Sequence, residues 1–288
     1  MNSSLISINN LRSLSQIFTT TNLRRILNKN YSFTDYRIKK NSDVFTGAVT
    51  KRDVFEQVYQ ILQEQYYGEY LYKNALLNKI LIERHDITKT CALNEFKVSN
   101  SIADYVLLNG NATIYEIKTD LDTLAKLDKQ LHDYSKFAEK VYIVSHSKFI
   151  KTLLSRYENS HVGIIEMYNR DSLNVVKESV ANYDNLSHDT LFRVLRKREY
   201  LSIVEDIYGF VPDVPNTKIF RSCYELIKDL DVELFQSHVI ETLKERNISS
   251  PELLTSRATP YEWRQLCYSL DLKHGEYETF YQYLNRQA

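Results

Sequence analysis

Along this chain the spacing of apolar residues changes twice. In the first fifty residues, "LRSLSQIF" and "NLRRILNK" carry apolar side chains at helical intervals on either side of "TTTN", which predicts two short helices. The following "YSFTDYRIKKNSDVFTGAVT" holds no sustained period and reads as an irregular connection. Helical spacing resumes near Asp53, and Gly68-Glu69 opens a further helical run, "EYLYKNALLNKILIER".

From Asn94 the period drops to two. "NEFKV", "IADYVLL", "TIYEIK", "VYIVS" and "VGIIEMY" are short β-branched or aromatic runs between polar breaks, the pattern of strands. Between the third and fourth, Leu124, Leu127, Leu131, Tyr134 and Phe137 recur at helical spacing, and Asp122 is placed to cap that helix. Strand, helix and strand in this order predict a parallel, right-handed crossover. "SKFIKTLLSRYEN" adds a helix, and "LNVVKESV" a last hairpin strand. The fold class expected is α/β: a small mixed sheet flanked by helices.

Beyond about Tyr183 only helical runs follow, with Pro212 and Pro215 marking the clearest joint. The expected organisation is an N-terminal helical segment (1–50), an α/β core (51–182) and a C-terminal helical domain (183–288).

Composition narrows the picture. With 288 residues the chain is long enough for a large core. Lys+Arg and Asp+Glu both total 37, so there is no general basic field, and contact with nucleic acid would need a local patch. Only 6 glycines and 4 prolines against 22 tyrosines favour long regular elements. Cys91, Cys223 and Cys267 lie far apart, so neither a disulfide framework nor a cysteine metal site is implied, and the seven histidines show no ligand spacing. With no membrane-length apolar run and no signal-peptide core at the N-terminus, a soluble cytoplasmic protein without a membrane partner is expected. Homo-oligomerisation is not indicated.

The chemistry concentrates in "ADYVLLNGNATIYEIK", residues 103–118. A tight loop at Asn109-Gly110-Asn111 pairs Leu108 with Ala112 and sets Asp104 opposite Glu116. Like charges opposed on a sheet destabilise it unless something compensates. Either this is the wet edge of a hairpin, or the carboxylates share a hard divalent cation such as Mg²⁺. Lys118 falls on the Glu116 face by strand alternation. Two other acidic-x-Lys triplets occur, at Glu95 and at Asp271; neither has an Asp on a preceding hairpin strand at matching parity. Glu95 reads as a solvated strand end, or alternatively as a residue near the site through the strand before Asp104.

These residues resemble the PD-(D/E)XK nuclease superfamily, which has a restriction-endonuclease-like core. Ala103-Asp104 matches the first half of the motif with Ala for Pro, and Glu116-Ile117-Lys118 matches the second. Gln130 and Tyr134 match the Gln-x-x-x-Tyr motif of RecB-like members, at i, i+4 on one helix face; Tyr134 reads alternatively as plain core. The run "YEIKTDLDTLAKLDKQLHDY" is also similar to an uncharacterised bacterial and phage group of that superfamily with an "EIKSDxDTL" stretch, Thr119 and Lys126 being mild departures. The helical acidic residue of the superfamily maps to Glu69, which reads equally as an acid favoured at a helix N-terminus.

The resemblance implies a Mg²⁺- or Mn²⁺-dependent nuclease in phage, mobile-element or defence biology, with DNA favoured over RNA. Asp104 and Glu116 would hold metal, Lys118 would assist the attacking water, and Glu69 and Gln130 would complete the site, supported by Tyr134. The alternative is an inactive nuclease-fold module that binds nucleic acid or protein. Phosphate contacts are expected at a basic helical cluster, Arg193, Arg196, Lys197 and Arg198, or at Arg24, Arg25, Arg37, Lys39 and Lys40. The C-terminal helices are available to a protein partner.

Overall fold

The computed structural model describes residues 6–169 and 171–288. Near the N-terminus lie α1 (Ile8–Ser15), α2 (Thr20–Leu27) and α3 (Ser32–Lys40). Helix α3 occupies part of the stretch expected to be irregular. Its buried residues are Thr34 and Ile38, one of them polar, so its packing stripe is too weak to register as a period. Helix α4 (Lys51–Gln65) starts at a reciprocal cap: Thr50 Oγ1 accepts the Asp53 N–H, and Asp53 Oδ2 accepts the Thr50 N–H at 2.8 Å. Helix α5 (Glu69–Ala75) begins at Gly68-Glu69, as the sequence predicts, and runs on as a π-wound turn over Leu76–Ile82.

Six strands follow: β1 (Cys91–Val98), β2 (Ser101–Leu108), β3 (Ala112–Lys118), β4 (Lys140–His146), β5 (Gly163–Tyr168) and β6 (Ser172–Lys177). Helix α6 (Leu127–Tyr134) connects β3 to β4, and α7 (Ser147–Tyr157) connects β4 to β5. The chain ends in α8 (His188–Arg193), α9 (Lys197–Tyr208), α10 (Asn216–Ile227), α11 (Val232–Lys244), α12 (Pro251–Thr255), α13 (Arg264–Ser269) and α14 (His274–Leu284). No helix among the described residues is long and apolar enough to cross a membrane.

Two compact units emerge. One gathers the chain up to His85, Met167–Leu173 and Ile248–Ala288; the other gathers Asp86–Glu166 and Asn174–Asn247. This division cuts across the segments 1–50, 51–182 and 183–288, because apolar faces choose partners irrespective of chain order. In the first unit Trp263 is fully buried, with ring centroids 5.2 Å from Phe18, 4.9 Å from Phe55 and 5.2 Å from Phe280. The last helices therefore share a core with the first. Asn74 crosses this core as a polar brace, its amide nitrogen donating to the Tyr59 hydroxyl at 2.8 Å and its oxygen accepting the Gln265 N–H at 3.2 Å.

In the second unit the sheet order is β1-β2-β3-β4-β5-β6, with the tip of the β5–β6 hairpin grouped in the first unit. The pairs β1–β2 and β2–β3 are antiparallel and β3–β4 is parallel, so the sheet is mixed and the expected crossover is present. Leu127, Leu131, Tyr134 and Phe137 from the crossover share one core with Phe192, Phe235 and Val239 from the helices after the sheet. That is why α8–α11 belong with the sheet.

Gly163 marks a close approach. A Cβ there would meet the Tyr142 ring at 2.4 Å and the Ser179 nitrogen at 2.7 Å. Gly163→Ala is expected to cost about 1–3 kcal/mol through overpacking; urea unfolding of the purified variant checks this, and an unchanged midpoint would refute the contact.

Candidate active site

The hairpin loop sets the register. Gly110 takes φ +69°, the left-handed conformation that a tight loop requires, and Asn109 N–H donates to the Asn111 carbonyl at 3.0 Å. Leu108 pairs with Ala112 as expected, and the ladder continues to Tyr105 opposite Tyr115. There it stops. One step further, Asp104 does not pair with Glu116; its Oδ2 accepts the backbone N–H of Ile117 at 2.7 Å. The side chain takes the place of a ladder bond, and the two carboxylates are held by different groups.

Glu116 is the centre of a buried polar cluster. It is 1% exposed and Lys118 is 8% exposed. Lys118 Nζ donates to Glu116 Oε1 at 2.5 Å and to Gln130 Oε1 at 3.1 Å, while Gln130 Nε2 donates to the same Glu116 oxygen at 2.6 Å. The Tyr134 hydroxyl lies 2.6 Å from Glu116 Oε2 and 2.7 Å from the Ile102 carbonyl oxygen. Gln130 and Tyr134 share one helix face, as i, i+4 spacing predicts, and that face turns onto Glu116, as the resemblance implies. Burial, then the charge and hydrogen bond of Glu116, push the Tyr134 phenol well above its ordinary pKa, so it remains a neutral donor. Plain core packing does not describe Tyr134: its ring is buried, and its hydroxyl serves Glu116.

Two further bonds hold α6 in place. Ser101 Oγ donates to Asp133 Oδ2 at 2.8 Å, and the Tyr157 hydroxyl donates to Asp128 Oδ1 at 2.6 Å. Asp122 does not cap this helix. Its Oδ2 accepts the Thr119 N–H at 2.8 Å and the Thr119 hydroxyl at 2.7 Å, closing the loop after β3, and α6 starts later, at Leu127. An Asp that can bond a nearby backbone donor in a turn competes with its own capping role. His132 is exposed, as helical periodicity predicts.

Glu95, which the sequence leaves open between a solvated strand end and a place near the site, is exposed and lies beside Asp104. The pairs Asn94–Tyr105 and Phe96–Ala103 flank it, so the register sets Glu95 across from Asp104. A carboxylate oxygen of each lies within 4.8 Å of the other. Glu95 also takes φ +51°, in the left-handed region a non-glycine residue rarely visits. The residues of β1 that meet the sheet's core change parity across this point, from Cys91 and Leu93 to Phe96 and Val98. Strict alternation hides such a kink, whereas a charged residue interrupting the run at an unexpected parity is the signal that could have found it.

Glu69 lies in the first unit, at the first position of α5, where it pairs with Lys73 at 2.6 Å. The cluster Arg193, Arg196, Lys197 and Arg198 does not sit on one helix: α8 ends at Arg193 and α9 starts at Lys197. Arg193 bonds both oxygens of Asp189, at 2.7 and 2.8 Å, and Lys197 Nζ donates to Asn216 Oδ1. Arg193 and Arg196 line a cleft of about 750 Å³ with Lys97, Ser99 and Arg246. Glu199 accepts from Arg246 Nε at 2.7 Å. At the N-terminal cluster, Arg25 and Arg37 lie over the Phe33 ring at 4.4 and 3.4 Å.

The site thus offers hard oxygen donors at Glu95 and Asp104, and beside them a buried carboxylate saturated by Lys118, Gln130 and Tyr134. Oxygen donors of this kind suit Mg²⁺ or Mn²⁺.

Residues 62–266 match the family of bacteriophage P4 protein cII. Protein cII of Enterobacteria phage P4 is 27% identical over 186 residues, covering 62% of this chain and 64% of that protein. The match thus leaves part of that relative's length unspanned. A solved structure, SPO1766, a protein of unknown function from Silicibacter pomeroyi, is similar at 16% identity and a TM-score of 0.27, over 34% of this chain and 64% of that one. That likeness carries no argument. The family match runs from within α4 to within α13 and takes in the whole sheet with its buried Glu116 cluster: the chain belongs to the bacteriophage P4 protein cII family.

Proposed function

We propose that this protein is a nuclease dependent on Mg²⁺ or Mn²⁺, with a core of the PD-(D/E)XK, restriction-endonuclease-like kind. The observation that carries the reading is the convergence of Lys118, Gln130 and Tyr134 on Glu116, at the end of a strand whose neighbour bears Asp104. Asp104 and Glu116 are the proposed metal residues, joined by Glu95. An ion held there would acidify a bound water and offset charge on a phosphoryl group. Three donors occupy Glu116, whereas a carboxylate offers about four lone-pair sites; one direction remains for a further ligand. Lys118 is the proposed cation for orienting the attacking water, and Gln130 and Tyr134 are positioning residues. Glu69 is kept in the proposal as the helical acid of the resemblance, to be tested by Glu69→Gln. Nucleic acid, DNA ahead of RNA, is the proposed substrate. Arg193, Arg196 and Lys197 are proposed phosphate contacts.

The test is a cleavage screen over single-stranded, duplex and branched DNA and RNA, with and without divalent metal. Asp104→Asn is expected to lower cleavage by about 10²–10³-fold, the scale on which loss of one electrostatic group at a reacting centre is felt. Cleavage that persists in EDTA and in Asp104→Asn would end the proposal.

The burial of Glu116 under three donors also favours a second reading, a nuclease-fold module that binds nucleic acid or, through its later helices, a protein, without cutting. Metal-independent binding with no cleavage of any tested substrate would select it.

A further inference from the structure

The first unit carries a cleft of about 430 Å³ that the proposed nuclease chemistry does not use. Glu56, Tyr59 and Gln63 reach it from α4, Asp171 from the β5–β6 turn, and Tyr261 and Glu262 from the turn before α13. Three features there are unusual together. Glu262 is 6% exposed, and its Oε1 has no hydrogen-bond partner. Gln63, 7% exposed, lines the same cleft. Asp171 is fixed, its Oδ2 accepting from the Tyr261 hydroxyl at 2.6 Å. A buried polar atom left without a partner costs stability, so the Glu262 oxygen asks for a ligand that satisfies it.

The missing partner must donate. Among the described residues Glu56, Asp171 and Glu262 outnumber the lining cation Arg52, whose Nη2 donates to the Ala258 carbonyl at 2.6 Å. A single metal ion does not fit, because these three carboxylates do not converge within the reach of one ion. The spread suits an organic cation with several N–H groups. Tyr59 and Tyr261, with ring centroids 6.1 Å apart, add aromatic faces to the wall. Between the organic cations, a guanidinium is planar, presents five donors and gives up water more readily than an ammonium.

We propose that this cleft binds a small molecule bearing a guanidinium group, with Glu262 as its buried anchor and Glu56 at the rim. The burial of Glu262, aided by the nearby Glu56 charge and opposed by Arg52 and Arg264, raises its pKa to about 7. Among the described residues, Arg52, Tyr59, Tyr261 and Asp171 are the other titratable groups facing the cleft. Binding should therefore strengthen as pH rises through neutrality and Glu262 ionises.

The experiment is calorimetric titration of the full chain with agmatine, and separately with spermidine and Mg²⁺. Agmatine is expected to bind, and Glu262→Gln to weaken it about ten-fold, as fits the loss of one charge-assisted hydrogen bond. Glu56→Gln, on the exposed rim, tests the same cleft without touching the core and should weaken binding about two- to three-fold. Binding that is absent, equal for spermidine, or unchanged in both variants would overturn the proposal. Cleavage activity plays no part in the readout, so the nuclease reading stands or falls separately.

Discussion

Lys118→Ala is expected to lower the unfolding free energy by about 3–5 kcal/mol, the usual cost of leaving one member of a buried ion pair without its partner. The charge left behind is that of Glu116, at 1% exposure. Gln130 and Tyr134 would still donate to it, but neither carries a charge. Adding Glu116→Gln to Lys118→Ala is expected to restore most of the loss, because a neutral amide of the same shape needs no cation. The two residues touch, so the double variant should depart from additivity, and a double-mutant cycle in urea, followed by circular dichroism, measures the coupling. A Lys118→Ala loss below about 1 kcal/mol would show that the pair is not buried as described. The cycle also guards the functional test. Lys118→Ala alone removes fold and proposed chemistry together, whereas the double variant should regain stability and still fail to cleave.

The second large effect concerns pH. Burial raises the Glu262 carboxyl to about 7, well above an ordinary glutamate. A carboxyl raised in the folded state binds protons there more tightly than in the unfolded chain. Its neutral form costs nothing below the unfolded pKa. As pH rises from about 4.5 to 7 the unfolded chain ionises first, so stability is lost across that window. The shift corresponds to about 3 kcal/mol as an upper bound, at 1.36 kcal/mol per pKa unit. Glu262→Gln is therefore expected to be more stable than the parent at pH 8 by up to about that amount, and close to it at pH 4. Urea unfolding of both proteins at the two pH values checks the sign. A variant equally destabilised at both would place Glu262 in an essential hydrogen bond and remove the orphaned oxygen from consideration.

Both effects arise where the sequence offered unequal guidance. Glu116 and Lys118 were legible because strand alternation and a three-residue loop are local rules, and both act within sixteen residues. Helix periodicity put Gln130 and Tyr134 on one face, and the family resemblance pointed that face at the site. Glu95 was not fixed between a solvated strand end and a place near the site, since its left-handed φ breaks the alternation on which the reading depends. Glu262 was not legible either: its burial follows from packing against α4 and the β5–β6 turn, segments remote from it in the chain.

The amino-acid sequence by itself determined the six strands, the parallel crossover and the identity of the Glu116 cluster, because turn chemistry and hydrophobic period are short-range constraints. Only the tertiary structure decided that the β2–β3 ladder ends at Tyr105 and Tyr115 and that Asp104 bonds the Ile117 amide. It also decided that helices from both ends of the chain share the Trp263 core while α8–α11 join the sheet. Those outcomes depend on which apolar face finds which partner, and burial carries no memory of distance along the chain.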